Sequence, residues 1–576
     1  MKIKKIIFSI IAVLFIATAC EEDFLERLPL DQVSTMDYWS KTGDLELYTN
    51  QFYPSFSDGS SWSGGIYWLD TGTDDMASVN YSRRLAGLTT VPATDADGWS
   101  YTNIRWVNFF FENYENCEDD FEVYKHYVGE AHFFRAFYYF GLLRTYGDVP
   151  WIDKTLLPDS EELFAARTPR NTIVNNIVAD LDKAIEYMVS GVNINGMRLN
   201  KEIALLFKAR VCLYEGTWEK YHAGTVFGAT GGDPNSLLTK AAGAAEQVID
   251  SDIYSLYSTG DPNWDYWHLF NPLDYTGNPE IMLWKKYDLG LNMYHNHQRY
   301  LPRIGHRRGN TKSCIDDYLC SDGLPIALSP LYQGDNTLTL VSTNRDPRWK
   351  QTIFTPGWPR EIVGSDTTWF FDRAELHISY YKCNTAYQLN KGAVPDPNQY
   401  YAGNVGTNPS PIFRYAEALL IFAEAKAELG TLTQADVNKS IKLLRDRAGM
   451  PNLVIANIQT DPNWLYPSLS PIINEVRRER HVELNSEGYR WDDLCRWRAH
   501  HLIVGKNPRG ARFDQATYPE LTIGVDVDVD AEGYIILYVD ELPNGYGFDP
   551  DRDYLLPIPV EQLTLNPNLV QNPGWQ

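Results

Sequence analysis

The chain has 576 residues, enough to bury a large core, and by length alone it suggests several domains. With 51 basic against 75 acidic residues the net charge is −24, which argues against a nucleic-acid partner and against adhesion to anionic lipid through charge. Aromatic residues make up 14%, with 17 Trp and 37 Tyr, and many stand in Gly/Asn/Asp/Ser-rich segments where no helix core needs them. Flat apolar faces with a polar edge match the C–H faces and hydroxyl rims of sugar rings.

Lys2, Lys4 and Lys5 precede an apolar run from Ile6 to Ile16 that closes on Ala17-Thr18-Ala19-Cys20. A positive start, a short apolar stretch and small residues before a cut site are the marks of a secretory signal. The run falls short of the roughly 20 residues of a spanning helix. A small residue directly before a cysteine resembles bacterial lipoprotein signals. Residues 1–19 are therefore expected to be removed, leaving Cys20 as an acylated N-terminus that tethers the chain to a membrane. Glu21, Glu22 and Asp23 resemble the surface-export signal of Bacteroidetes-type lipoproteins, and read equally as a solvated tether.

Helical periodicity then predicts a long aromatic block over Tyr101 to Tyr146, stopped by Gly147-Asp148-Val149-Pro150. Further helices are expected from Ile173 to Met188, Asn200 to Tyr214 and Leu237 to Ile249. From about 254 to 408 the chain is rich in Pro, Gly, Asn, Trp and Tyr, and reads as loops, short strands and small helices. Helix returns over 413–425, 435–448, 472–484 and 491–500. The pairs resemble degenerate tetratricopeptide units. The fold expected is mostly α: a tetratricopeptide-like helix-pair scaffold (about 35–250 and 410–576) with a loop-rich, aromatic-rich ligand-binding insertion, within one domain over 20–576.

Two segments carry candidate ligand-binding residues. One supplies Trp68, Arg83, Arg84, Trp99 and Asn103; the other supplies Tyr294, His295 and Tyr300, with Trp358 and Trp369 further on. Aromatic faces would stack on sugar rings while Arg, Asn and Asp bond the hydroxyls, although each aromatic could instead pack against the scaffold. His295 and His297, with His306 nearby, could share a metal but lack a supporting acidic or cysteine ligand. Asp526, Asp528 and Asp530 followed by Gly533 faintly suggest structural calcium, and a charged edge strand explains them as well. No other cofactor or metal is expected.

Paired carboxylates at Asp74-Asp75, Asp119-Asp120, Asp316-Asp317 and Asp492-Asp493 keep a glycoside hydrolase open, because that reaction needs two carboxyl groups about 5–10 Å apart. Catalytic residues are nevertheless not expected, since no nucleophile elbow, phosphate loop or HExxH motif is present. Gly64-Gly65 and Gly231-Gly232 read as flexible turns. Cys314 and Cys320 are close enough in sequence for a local disulfide, whereas Cys212 and Cys495 sit in helical patterns and read as buried thiols.

Five motifs in order carry a resemblance: Arg135-Ala136-Phe137-Tyr138-Tyr139-Phe140 with Tyr146-Gly147-Asp148-Val149-Pro150; Arg414-Tyr415-Ala416-Glu417-Ala418-Leu419-Leu420 with Glu424-Ala425; Arg445-Asp446-Arg447-Ala448-Gly449; Glu479-Arg480 through Arg490-Trp491-Asp492-Asp493-Leu494 to Arg496-Trp497; and Leu556-Pro557-Ile558-Pro559 with Asn572-Pro573-Gly574. Together they resemble the RagB/SusD family of outer-membrane nutrient-binding lipoproteins over essentially the whole mature chain. The resemblance implies a single α-rich domain and a SusC-like TonB-dependent outer-membrane β-barrel as partner, on which the lipoprotein acts as a surface lid. It implies non-catalytic capture of a glycan, or less often a peptide. In sugar-binding members a tryptophan and polar partners near the first segment contact ligand, where Trp99 and Arg83 or Arg84 occupy similar places. Arg135, Arg414, Glu424, Glu479, Arg480 and Arg490 are expected to be structural ion pairs.

Overall fold

The computed structural model describes residues 38–56, 63–94, 98–378 and 380–575. Cys20 and the acidic residues behind it lie outside these. None of the described helices is long and apolar enough to cross a membrane.

The helical scaffold begins with α1 (Thr42–Asn50), α2 (Thr102–Asn113) and α3 (Phe121–Tyr146), followed by α4 (Arg170–Tyr187), α5 (Lys201–Tyr221) and α6 (Pro234–Asp250). Its second part is α7 (Tyr415–Glu428), α8 (Gln434–Lys439), α9 (Ile441–Arg447), α10 (Pro471–Glu483) and α11 (Arg490–Arg496). Local chemistry sets the ends. Asp120 caps α3 by accepting the Glu122 N–H, Asn200 caps α5 by accepting that of Ile203, and Thr433 and Asp436 form a capping box on α8. Gly147 stops α3 with φ +74°, a conformation that favours glycine. The predicted 101–146 block is interrupted at 114–120, and the predicted 435–448 helix breaks at Ser440, whose backbone (φ −131°, ψ −89°) is not helical.

Each helix from α3 to α6 packs on the next, and α6 packs directly on α7. The chain between them, the insertion, therefore leaves and re-enters the scaffold at one place. Strand β2 (Ile281–Lys285) pairs antiparallel with β6 (Ser410–Arg414), Ile281 opposite Arg414, and clasps its base. Three more two-stranded sheets complete the strands: β1 (Met76–Ser78) with β3 (Arg308–Asn310), β4 (Pro359–Val363) with β5 (Asp366–Phe370), and β7 (Arg509–Arg512) with β8 (Tyr534–Ile536).

The insertion has a core of its own, built on Tyr266, Trp267, Trp284, Trp349, Tyr387 and neighbours, beside the large core of the scaffold. Much of its aromatic content is thus interior packing. Buried ion pairs bind the two parts. Arg414 bonds Glu280, Glu483 and Glu487; Arg447 bonds Glu280 and Glu483; Arg348 from the insertion bonds Glu479 and Glu483. Burial alone would raise the Glu483 pKa, but the guanidiniums of Arg447, Arg414 and Arg348 hold it well below the carboxylate range. The remaining motif charges pair likewise: Arg135 with Asp180, Glu424 with Arg496, Arg480 with Asp493 and Arg490 with Asp74.

Several expectations need correction. Cys314 and Cys320 are free buried thiols rather than a disulfide; Cys314 faces Asn310 and Asn485, and Cys320 sits in a turn closed by its own backbone. Gly64 and Gly65 are tight approaches rather than flexible turns, since a Cβ on Gly65 would lie 2.7 Å from the His297 ring. Gly232 likewise abuts the Glu219 carboxylate. Residues 526–530 form isolated bridges instead of an edge strand.

A candidate ligand-binding surface on the insertion

The segment after β2 builds a polar-aromatic face of the insertion. His297–Arg299 is a 3₁₀ turn, and Tyr300 to Ile304 forms an α-turn closed by the Ile304 N–H on the Tyr300 carbonyl at 2.9 Å. His306 and Arg307 then take left-handed backbone conformations in succession (φ +44° and +65°), before β3 pairs Arg308 with Ser78 of β1. Non-glycine residues adopt this conformation only when the surroundings impose it. The pairing brings this turn against Trp68, which ends the 3₁₀ turn Gly65–Trp68.

Trp68 lies parallel to the His306 imidazole (centroids 5.2 Å, planes 6° apart) and 5.5 Å from the Tyr300 ring, while the Arg308 guanidinium sits 4.3 Å from the indole centroid. Tyr380 meets His306 edge-on at 5.0 Å, and Tyr380 and Tyr381 are each about half exposed. The Gly305 and Arg307 N–H groups donate to the carbonyls of Tyr381 and Lys382, which holds the two tyrosines beside the turn. Burial, then the charges of Arg308 and Arg307, push His306 down to about 4, so its ring is neutral near neutral pH.

The face continues past Arg303, whose guanidinium lies 5.7 Å from the Tyr400 and Tyr401 rings. Both hydroxyls donate to Glu361 Oε2, at 3.0 and 2.6 Å, and Tyr401 is 61% exposed. The hydrogen bond from Tyr401 is the main reason that the Glu361 carboxyl stays below its usual range. On the adjoining β4–β5 hairpin, Arg360 lies 4.3 Å from the centroid of Trp369 and donates from Nε to the Pro302 carbonyl at 2.5 Å. Trp369 and Phe370 stand 39% and 53% exposed.

Of the predicted ligand residues, only Trp68 and Tyr300 meet directly, and Trp369 joins the same face. Trp99 is buried and lines a separate groove of about 590 Å³ on the scaffold, with Ile104, Leu156, Phe164 and Leu569. Asn103 is exposed but does not line that groove. Arg84 donates to the Asp553 and Tyr554 carbonyls and stacks on Trp491, tying down the C-terminal tail, while exposed Arg83 bonds the Leu88 carbonyl. His295 is enclosed: its Nε2–H donates to the Asn408 carbonyl and its ring stacks on His297 at 3.8 Å. Tyr294 is half-buried beside it. Trp358 packs on Trp264 inside the insertion. Sequence reasoning missed Tyr380, Tyr381, Tyr401, Arg303, Arg307 and Arg308. Its available signal was the doublets Arg307-Arg308, Tyr380-Tyr381 and Tyr400-Tyr401 in polar segments.

Other chemistry is accounted for by internal pairing. Asp119 and Asp120 accept backbone N–H groups at helix starts, Asp74 and Asp75 face Arg490 and His481, Lys312 and His481 bond Asp316 and Asp317, and Asp492 and Asp493 bond Arg144 and arginines of α10 and α11. Asp75, Cys314 and His481 place three ligand atoms within 4.8 Å of one another. The two His481 nitrogens are already bonded by Asp75 and Asp317, so the cluster reads as a buried ion-pair network of the core. Asp526 accepts the Thr522 N–H, and Asp530 accepts those of Glu532 and Tyr534 and pairs with Arg509, so these carboxylates serve their own turns.

A profile described as the SusD family matches residues 286–575, and one described as starch-binding and associating with the outer membrane matches 29–213. The chain is 26% identical to SusD-like protein P2 of Formosa agariphila over 99% of its own length and 100% of that protein. A second relative, SusD-like protein P38 of the same organism, is 24% identical over 85% of this chain and 90% of its own. Among solved structures, a SusD-like carbohydrate binding protein from Bacteroides fragilis superposes with a TM-score of 0.71 at 22% identity, covering 92% of this chain and 100% of that one. A SusD-like protein from the same species gives 0.70 at 22% identity, over 95% of this chain and 100% of the other.

Proposed function

The chain belongs to the SusD family, and from that premise we propose that it is a non-catalytic glycan-capture lipoprotein of the outer membrane, handing oligo- or polysaccharide to a SusC-like TonB-dependent β-barrel. The observation that carries the ligand reading is the face on which Tyr380, Tyr401, Trp369 and Arg307 are exposed, laid over the buried rings of Tyr300 and Trp68. Sugar rings stack on Tyr380, Tyr401 and Trp369 while the arginines bond hydroxyls. Cys20 provides the lipid tether, and Glu21, Glu22 and Asp23 favour the outer side of the membrane. The paired carboxylates support a binding role, because each pair is engaged with cations or helix starts.

The test is calorimetry of the wild type, Tyr380→Ala, Trp369→Ala and Trp99→Ala against panels of plant and host polysaccharides and of peptides. Binding to a glycan is expected to be modest, since exposed stacking leaves much of the ligand wet. Losing one platform ring should weaken it about tenfold, the scale of one aromatic contact, with Trp99→Ala near wild type. Loss with Trp99→Ala alone would move the site to the scaffold groove. Binding only to peptides would replace the glycan reading by the peptide-binding one. Reducing-sugar release is expected to be nil; its appearance would favour a hydrolase.

A further inference from the structure

The proposed face differs electrostatically from the rest of the molecule. Most arginines elsewhere are matched to carboxylates, as Arg170 is to Glu215, Arg210 to Glu417 and Arg496 to Glu424, and others such as Arg84, Arg167 and Arg345 are taken up by backbone carbonyls. Arg303, Arg307 and Arg308 form no ion pair with a carboxylate among the described residues. Arg303 and Arg308 lie over aromatic rings instead, Arg308 Nε is buried without a hydrogen-bond partner, and Arg307 is exposed. Glu361, the carboxylate beside Arg303, feels its charge but accepts its hydrogen bonds from the hydroxyls of Tyr400, Tyr401 and Thr368 rather than from the guanidinium.

Three guanidiniums fall within six residues, on a turn with two left-handed positions, and Arg307 and Arg308 repel one another. Arg307 lowers the pKa of Arg308 (after burial, the larger cause), and both lower that of His306. In a chain of net charge −24, such a cluster is a local positive field in a negative surround. Neutral sugar hydroxyls do not require unneutralised cations, whereas carboxylate or sulfate oxygens match guanidinium donors in geometry and charge.

We infer that the ligand of this face is an anionic polysaccharide, its carboxylate or sulfate groups set against Arg303, Arg307 and Arg308 and its rings against Tyr380 and Tyr401. The inference rests on the glycan-binding reading and narrows it. Uncharged His306 would act as a stacked support, leaving the positive charge to the arginines.

The test uses the full mature chain, titrated at two salt concentrations with polygalacturonate and its carboxyl-reduced form, a carrageenan and its desulfated form, and polyglutamate. Arg307→Gln and Tyr380→Ala are run beside the wild type, with melting curves as a folding check. Expected is tighter binding of one anionic glycan than of its neutralised form by about tenfold or more, weakened by salt and by a similar factor in Arg307→Gln. The arm that binds identifies carboxylate or sulfate. Equal affinity for a neutralised glycan, or an unaffected Arg307→Gln, overturns the anionic assignment and leaves glycan binding standing. Polyglutamate binding as tight as the glycan's, indifferent to Tyr380→Ala, reduces the cluster to ion exchange and overturns it too. If no glycan of either kind binds, the underlying reading falls first.

Discussion

Trp68 and His306 stack with their planes 6° from parallel and their centroids 5.2 Å apart, joining the start of the scaffold to the middle of the insertion. The β1–β3 pairing sets this approach, so the stack depends on a register between strands far apart in the chain.

Gly64 backs the indole closely enough that a Cβ there would overlap the Trp68 ring. Gly64→Ala should displace Trp68 from His306 and weaken glycan binding about tenfold, the scale of lost aromatic stacking. Gly43→Ala, in α1 with open space around it, should leave binding unchanged and stability equal or slightly raised. Calorimetry and tryptophan fluorescence read both; a native spectrum and full affinity for Gly64→Ala would separate the stack from binding.

Arg414 faces Glu280, Glu483 and Glu487 in the interior. Arg414→Met should destabilise the fold by about 3–5 kcal/mol, because it leaves buried carboxylates without their cation. Urea unfolding measures this, and a loss below about 1 kcal/mol would show that the other arginines suffice.

Stability should fall on the acid side from about pH 6.5. His222 is enclosed against Trp218, its Nε2–H bonded to the Cys495 carbonyl, and burial pushes it down to about 3. Its folded pKa thus lies below the unfolded value of about 6.5. The stability linked to neutral His222 is complete above pH 6.5 and declines as the pH drops toward 3, the unfolded chain taking up the proton first. Glu483 acts in the same sense below its unfolded pKa. His481, raised well above its ordinary value between Asp75 and Asp317, works oppositely: its contribution is full below pH 6.5 and lost as pH rises through its folded pKa. Melting temperatures of His222→Gln should therefore vary less between pH 6.5 and 5 than those of the wild type; parallel curves would assign the slope elsewhere.

Six described cysteines are free and buried, and burial, the main cause, pushes the Cys314 thiol up to about 11. Reductant should change neither intact mass nor melting temperature, and thiol reagents should react only on unfolding. A gain of two hydrogens on reduction would establish a bridge after all.

Cys20→Ser, or globomycin treatment, should move the protein from membranes to the soluble fraction. Unchanged membrane association would remove the lipid anchor and require another contact.

The sequence by itself determined the helices, because capping residues and three-to-four-residue apolar spacing act within one segment. Asn200 and Gly147 bound helices where the pattern placed them, whereas Asp120 caps α3 inside what the pattern read as one block. It also determined that Arg135, Arg414 and Arg490 are structural, since a cation in an apolar stretch has to be paired once buried, whether on a helix or, as Arg414 proves to be, at the end of β6. The tertiary structure decided which aromatic rings face outward. Trp99, Trp358 and His295 stand in segments as polar as those of Tyr380 and Tyr401, yet they are enclosed while the two tyrosines are exposed. Ring exposure is set by partners remote in the chain: Trp264 covers Trp358, the loop at Asn408 covers His295, and the Trp68 stack leaves the edge at Tyr380 open. A local pattern has no record of those contacts, because they form only when β1 meets β3 and the insertion closes on its own core.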